Sequence, residues 1–153
     1  MRASAKCEKD IVGTRLGEAM RMPMTAEDII VGIFYHIKKV QKGHDKKITA
    51  DRETLHRVFY KMKQGHPKLM DVFSFREREH FPESTQLDQA LSNLDAAGLI
   101  SRQNLAPRYY RFENPLVSSY DKFSKGILAD AGIEEEEIEA AAREFEQLAR
   151  GRR

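Results

Sequence analysis

The sequence predicts a mainly helical α+β fold in which one helix is followed directly by a two-stranded β-hairpin. Three observations predict it. Between residues 84 and 97, apolar residues recur at the three- and four-residue spacing of a helix with one buried face. From residue 99 to residue 112 the spacing changes to the two-residue alternation of strands. Similar helical patterns on both sides of this stretch predict extra N- and C-terminal helices.

The helix of residues 84–97 is predicted to begin at Ser84 and to end at Gly98, which can adopt the left-handed conformation of a helix C-terminus. Its buried face consists of Leu87, Ala90, Leu91 and Leu94. Residues 99–102 and 108–112 are the predicted strands, with residues 103–107 as the turn between them. Tyr110 and Phe112 are expected on one face of the second strand.

Two helices are predicted before Ser84. Thr25 is suited to cap the first, which Gly43 would end, and its apolar face consists of Ile29, Ile30, Ile33, Phe34, Ile37 and Val40. His36 lies among these positions and is expected to be a core histidine. Thr49 or Asp51 would cap the second helix, whose apolar face is Leu55, Val58, Phe59 and Met62. The opposite face of this second helix is basic.

Two further helices are predicted after the hairpin. Asn114 would cap the first with Pro115 at its first position, and Gly132 would end it. Its expected buried stripe is Leu116, Tyr120, Phe123 and Ile127. The last helix spans residues 134–151, and its apolar positions are Ile138, Ala141, Ala142, Phe145, Leu148 and Ala149.

The composition indicates one domain with helical extensions. The chain has 153 residues, of which 41% are hydrophobic, enough for one core but too few for two ordinary domains. We therefore divide it into an N-terminal arm (residues 1–24), a central domain (25–113) and a C-terminal extension (114–153). The net charge is only +2, but residues 38–68 contain ten basic and three acidic residues, a local excess of +7. This excess favours an anionic partner.

Several function classes are not expected. Cys7 is the only cysteine, so a disulfide within the chain and a thiolate metal cluster are excluded, and a cytoplasmic location is favoured. The histidines show no spacing typical of a metal site, and no nucleophile motif or phosphate-binding loop occurs. The longest apolar run, residues 29–37, is too short to span a membrane. We expect neither an enzyme nor a cofactor.

The residues from Ser84 to Ile100 resemble the recognition helix and wing of the winged helix-turn-helix superfamily. That pattern reads S-x-x-L-x-x-A-L-x-x-L-x-x-x-G-L-I, and each fixed position is matched in this sequence. The resemblance implies a winged-helix domain and a DNA-binding transcriptional regulator similar to MarR- and PadR-type homodimers. Residues 48–100 also look like those of uncharacterised prokaryotic winged-helix proteins that have a loop inserted before the recognition helix.

The resemblance implies double-stranded DNA as a partner, with the polar face of the recognition helix in the major groove. The candidate DNA-binding residues on that face are Thr85, Gln86, Gln89 and Asn93. The same face has no Lys or Arg, and Asp88 and Asp95 would repel phosphates unless they are paired. Cations for the phosphates would have to come from elsewhere, and the candidates are Arg102, Arg108, Arg111, Lys46 and Lys61.

Two alternatives remain open at this point. The chain could instead be a winged-helix adaptor that binds a protein partner through its acidic recognition helix or its C-terminal helices. The apolar stripes of the C-terminal helices could form a two-fold dimer interface through Ile138, Phe145 and Leu148, or they could pack back on the domain.

Overall fold

A computed structural model of the chain describes residues 23–40, 47–106 and 108–150. Its elements, in chain order, are α1 (Ala26–Val40), β1 (Lys47–Thr49), α2 (Arg52–Gly65), α3 (Thr85–Ala96), β2 (Ile100–Arg102), β3 (Tyr109–Phe112), α4 (Pro115–Ser119), a π-helical turn (Tyr120–Ser124), α5 (Lys125–Asp130) and α6 (Glu135–Arg150). The predicted α+β class is confirmed. The predictions made for residues 1–22, Gly43, Lys46 and Pro107 lie outside the described residues.

The strands form a three-stranded antiparallel sheet in the order β1-β3-β2. The predicted two-stranded hairpin is present as β2 and β3, and β1, which was not predicted, adds a third strand to it. Ile48 of β1 pairs with Tyr110 of β3, and both side chains are buried. Because β1 has only three residues, its sequence contains too few positions to reveal an alternation.

Helix ends follow the predicted local signals in most places. Thr25 Oγ1 accepts a hydrogen bond of 3.3 Å from the backbone N–H of Asp28, and Asp51 Oδ2 accepts one of 3.0 Å from that of Thr54. Gly98 has the expected positive φ of 81°. Asn114 is an exception, because its backbone is already helical (φ −57°, ψ −40°) and its side chain makes no capping hydrogen bond.

The hydrophobic core is built around α1. The ring of Phe34 on this helix lies 5.0 Å from that of Phe112 on β3 and 6.2 Å from that of Phe145 on α6. Phe145 also contacts the ring of Phe59 on α2, at 5.8 Å. The last helix therefore belongs to the same core as the sheet and α2.

The chain buries the stripe of α6 by itself. Ile138 and Phe145 are 2% and 0% exposed, and Leu148 is partly buried against the core. Ile138 and Phe145 therefore need no second copy of the chain to be buried, because they belong to the core of this chain. Of the two alternatives, packing back on the domain is the one observed.

Only half of the apolar stripe predicted between Leu116 and Ile127 is buried. Leu116 and Tyr120 are buried, but Phe123 is 62% exposed and Ile127 is half-buried. The π-helical turn explains the difference, because its wider turn changes which residues face the core. The buried positions that follow are Ser124 and Leu128.

The described ranges lack two further features. Within them, no helix has both the length and the apolar character required to cross a bilayer. No group of three or more His, Cys, Asp or Glu side chains in the same ranges is arranged to hold a metal ion.

Candidate nucleic-acid interface

Helix α3 begins at Ser84, which is fully buried. Its hydroxyl oxygen accepts a hydrogen bond of 3.2 Å from the backbone N–H of Leu87, which is the hydrogen bond of a helix N-cap. The backbone N–H of Ser84 donates to Nδ1 of His56 on α2, at 3.0 Å. The start of α3 is thus attached to α2 by a buried hydrogen bond.

The same histidine holds Asp88, one turn further along α3. Since Nδ1 of His56 accepts from Ser84, the ring proton lies on Nε2, which donates to Asp88 Oδ1 at 2.8 Å. Arg52, in the first turn of α2, donates to the same carboxylate from Nη2 at 2.7 Å and from Nε at 3.1 Å. Asp88 is therefore paired with a cation and with a neutral imidazole.

These contacts determine the charge state of Asp88. Partial burial by itself raises the pKa of this carboxyl, but the hydrogen bonds from Arg52 and His56 outweigh it and hold the pKa below its ordinary value. The pKa of Arg52 is raised, chiefly by its hydrogen bond to Asp88. At neutral pH the pair is an ion pair of one negative and one positive charge.

The four candidate residues of α3 are all exposed, as predicted; they are Thr85, Gln86, Gln89 and Asn93. Two of the amides are oriented by neighbours. Gln89 Nε2 donates to Asn93 Oδ1 at 3.1 Å, and Asn93 Nδ2 donates to Glu27 Oε2 on α1 at 2.6 Å. Gln86 Oε1 accepts from the backbone N–H of Ser74 at 3.1 Å, so this carbonyl is already used. Among the described residues, none donates a hydrogen bond to the amide carbonyl of Gln89, which can therefore accept one from an outside partner.

Two basic residues lie on the outward face of the sheet. Lys47 of β1 is directly opposite Arg111 of β3, so both side chains lie on the same face. Lys47 Nζ is 4.3 Å from the centre of the Tyr109 ring on that face. Arg108, just before β3, is also exposed. The face opposite to the core is therefore cationic.

Arg102 connects the sheet with α3. It is the last residue of β2, and it lines a cavity of about 210 Å³ together with Arg52, Asp88 and Ser92. Both arginines therefore lie beside Asp88 and Ser92 of α3. Arg102 was predicted as a phosphate ligand, but Arg52 was missed, although it stands next to the predicted cap Asp51.

One predicted cation lies elsewhere. Lys61 follows Arg52 by nine positions on α2, which at 3.6 residues per turn is about half a turn around the helix. Its side chain lines a different groove, with Gln147 and Leu148 of α6. The prediction that Lys61 joins α3 in one binding face is therefore wrong.

Comparisons with models of protein families, with curated proteins and with solved structures gave no match. Function is therefore inferred from the residues of this chain alone. What the geometry defines is an α+β domain that presents an amide-rich helix beside a small cationic sheet.

Proposed function

We propose that this chain is a winged-helix protein that binds double-stranded DNA, and that it acts as a transcriptional regulator. The passage from α3 directly into the hairpin of β2 and β3 supports this proposal, because the resemblance of Ser84 to Ile100 implies a recognition helix followed by a wing. The two strands of that hairpin are neighbours in the sheet order β1-β3-β2. In this proposal α3 is the recognition helix and the hairpin is the wing.

The pairing of Asp88 supports the proposal most directly. An unpaired carboxylate on a recognition helix would repel DNA phosphates, and Asp88 and Asp95 raised this objection together with the lack of Lys or Arg on that face. The bidentate hydrogen bonds from Arg52 and the bond from His56 neutralise that charge within the domain. What α3 then presents near its centre is Gln89 and Ser92, which can form hydrogen bonds with base edges.

The phosphate contacts in this proposal come from the sheet and the hairpin. Residues 47–49, 100–106 and 108–113 contain four basic residues and one acidic residue, Glu113, which is a net excess of +3. The carboxylate of Glu113 accepts a hydrogen bond from the Ser101 hydroxyl. The four basic residues are Lys47, Arg102, Arg108 and Arg111. Such cations supply affinity that depends on salt and not on sequence.

The adaptor alternative has less support. Its acidic recognition helix would need a free Asp88, and that carboxylate is engaged with Arg52 and His56. Its C-terminal helix would need an available apolar face, and the face of α6 that includes Phe145 is buried. A homodimer, if one forms, would likewise have to use another surface.

The proposal is tested by fluorescence anisotropy with a labelled duplex of random sequence. At about 50 mM salt the intact chain should bind, and the affinity should fall as salt is raised. Arg111→Ala should weaken binding and reduce the salt slope by about one. Lys61→Ala, on the other side of α2, should leave both unchanged. Failure of the intact chain to bind any duplex at about 50 mM salt would refute the proposal.

A further inference from the structure

A groove between α2 and α6 has the size of a small-molecule site. Its volume is about 470 Å³, within the range of about 300–1,000 Å³ that is common for ligand pockets. The residues that line it are Arg57, Val58, Tyr60, Lys61, Gln64, Pro82, Gln147 and Leu148. It lies on the side of α2 away from Arg52, and so it is separate from the proposed DNA-binding face.

The polar residues that line the groove are mainly cations and amides, and none of the lining residues is acidic. Two of the eight residues are cations, two are amides and none is acidic, in a chain that has 24 acidic and 26 basic residues. Val58, Pro82 and Leu148 supply apolar surface beside them. An occupant would therefore meet a hydrophobic wall and a positive edge.

The two cations differ in their freedom. The Arg57 guanidinium is fixed, because Nη2 donates to the backbone oxygen of His80 at 2.7 Å and lies 2.8 Å from Glu53 Oε2. Lys61 is exposed and forms no ion pair with the described part of the chain. The nearby acid Glu144 is already bound to His66 Nε2, at 2.8 Å. Lys61 is thus the cation that is available to an anionic ligand.

We propose that this groove binds a small organic anion with an apolar, ring-sized body. The carboxylate or sulfonate of such a ligand would pair with Lys61, and its body would lie against Val58, Pro82 and Leu148. Amides at Gln64 and Gln147 can donate hydrogen bonds to the same anionic group. Binding of such an anion in this groove does not depend on whether the chain binds DNA.

The test uses the full chain and two probes of similar shape, 2-naphthoate and the neutral 2-naphthalenemethanol. In an NMR titration, 2-naphthoate should shift the amide signals of Gln64 and Gln147 and should saturate below about 1 mM. The neutral probe should bind about two- to fivefold more weakly, because it lacks the charge that pairs with Lys61.

Two lysine variants complete the test. Lys61→Met, which keeps the apolar stem, should weaken 2-naphthoate binding about three- to tenfold and leave the neutral probe unaffected. Lys122→Met, an exposed lysine of the π-helical turn outside the groove, should change neither. Equal binding of both probes, equal effects of both variants, or no saturable binding up to about 1 mM would overturn the proposal. Binding of an acidic, leucine-containing peptide but of neither probe would overturn it too, since the groove would then be a protein-docking surface.

Discussion

Asp88 of α3 accepts a hydrogen bond of 2.8 Å from Nε2 of His56 on α2, across 32 positions of sequence. His56 is 1% exposed, and its other ring nitrogen accepts from the backbone of Ser84. One buried imidazole therefore determines both where α3 begins and how its first turns lie on α2. Arg52 completes the contact from the exposed side of the same carboxylate.

We expect Asp88→Asn to destabilise the domain by about 1–3 kcal/mol, the range for hydrogen bonds to charged groups. The amide would accept fewer of the hydrogen bonds from Arg52 and His56, and its own N–H groups would face these donors. The measurement is urea unfolding at pH 7. Asp95→Asn, an exposed change on the same helix, should stay within about 0.5 kcal/mol. Equal and small effects of both variants would show that the Asp88 contact does not stabilise α3.

Phe145→Ala should destabilise the chain by about 3–5 kcal/mol, because the removed ring contacts Phe34 and Phe59 in the core. The loss should be independent of protein concentration, since the contacts are within one chain. The measurement is denaturant unfolding of the intact chain and the variant at two protein concentrations. A folded variant whose only defect is dissociation into monomers would show instead that Phe145 lies at a dimer interface.

We expect the folded chain to lose stability in mild acid because of His36. Its ring is 1% exposed, and burial lowers its pKa more than the attraction of Glu139 and Glu135, at 3.8 and 3.6 Å, raises it. Lys39 and Lys125 lower the pKa further. As the pH falls, His36 is therefore protonated in the unfolded chain before it is protonated in the folded chain. The stabilisation that comes from keeping His36 neutral is complete above pH about 6.5. It is lost as the pH falls towards and through the lower pKa that His36 has in the folded chain.

The measurement is the free energy of unfolding between about pH 7.5 and 5. The intact chain should become less stable over this interval, and His36→Leu should flatten the profile because the titrating group is gone. His80→Gln, at a side chain that is 80% exposed, should leave the profile as it is. A profile that is the same with and without His36 would contradict the assignment.

Features determined by near neighbours in sequence were predictable. Ser84 and Gly98 were recognised as the two ends of α3 because caps act over three or four residues. The π-helical turn was not recognised, because a regular 3.6-residue period placed Phe123 in the core. Asn114 was assigned as a cap from residue type alone, whereas the helical backbone already includes it.

The candidate interface was predicted in part for the same reason. The exposed face of α3, including Gln89 and Asn93, follows from the helical period. The ion pair of Arg52 and Asp88 joins residues 36 positions apart, so no local pattern could reveal it. Lys61 was included because a count of charge along α2 does not separate the two sides of a helix. The helical phase of Arg52 and Lys61 would have separated them.

The central claim is that α3 and the basic residues of the sheet together bind duplex DNA. The most direct measurement is an NMR titration of the isotope-labelled chain with a random duplex at about 50 mM salt. The account predicts that the amide signals of Gln89, Ser92, Arg102 and Arg111 shift together, and that those of Lys61 and Gln147 stay in place. Shifts confined to Lys61 and Gln147, or no shifts at all, would contradict it.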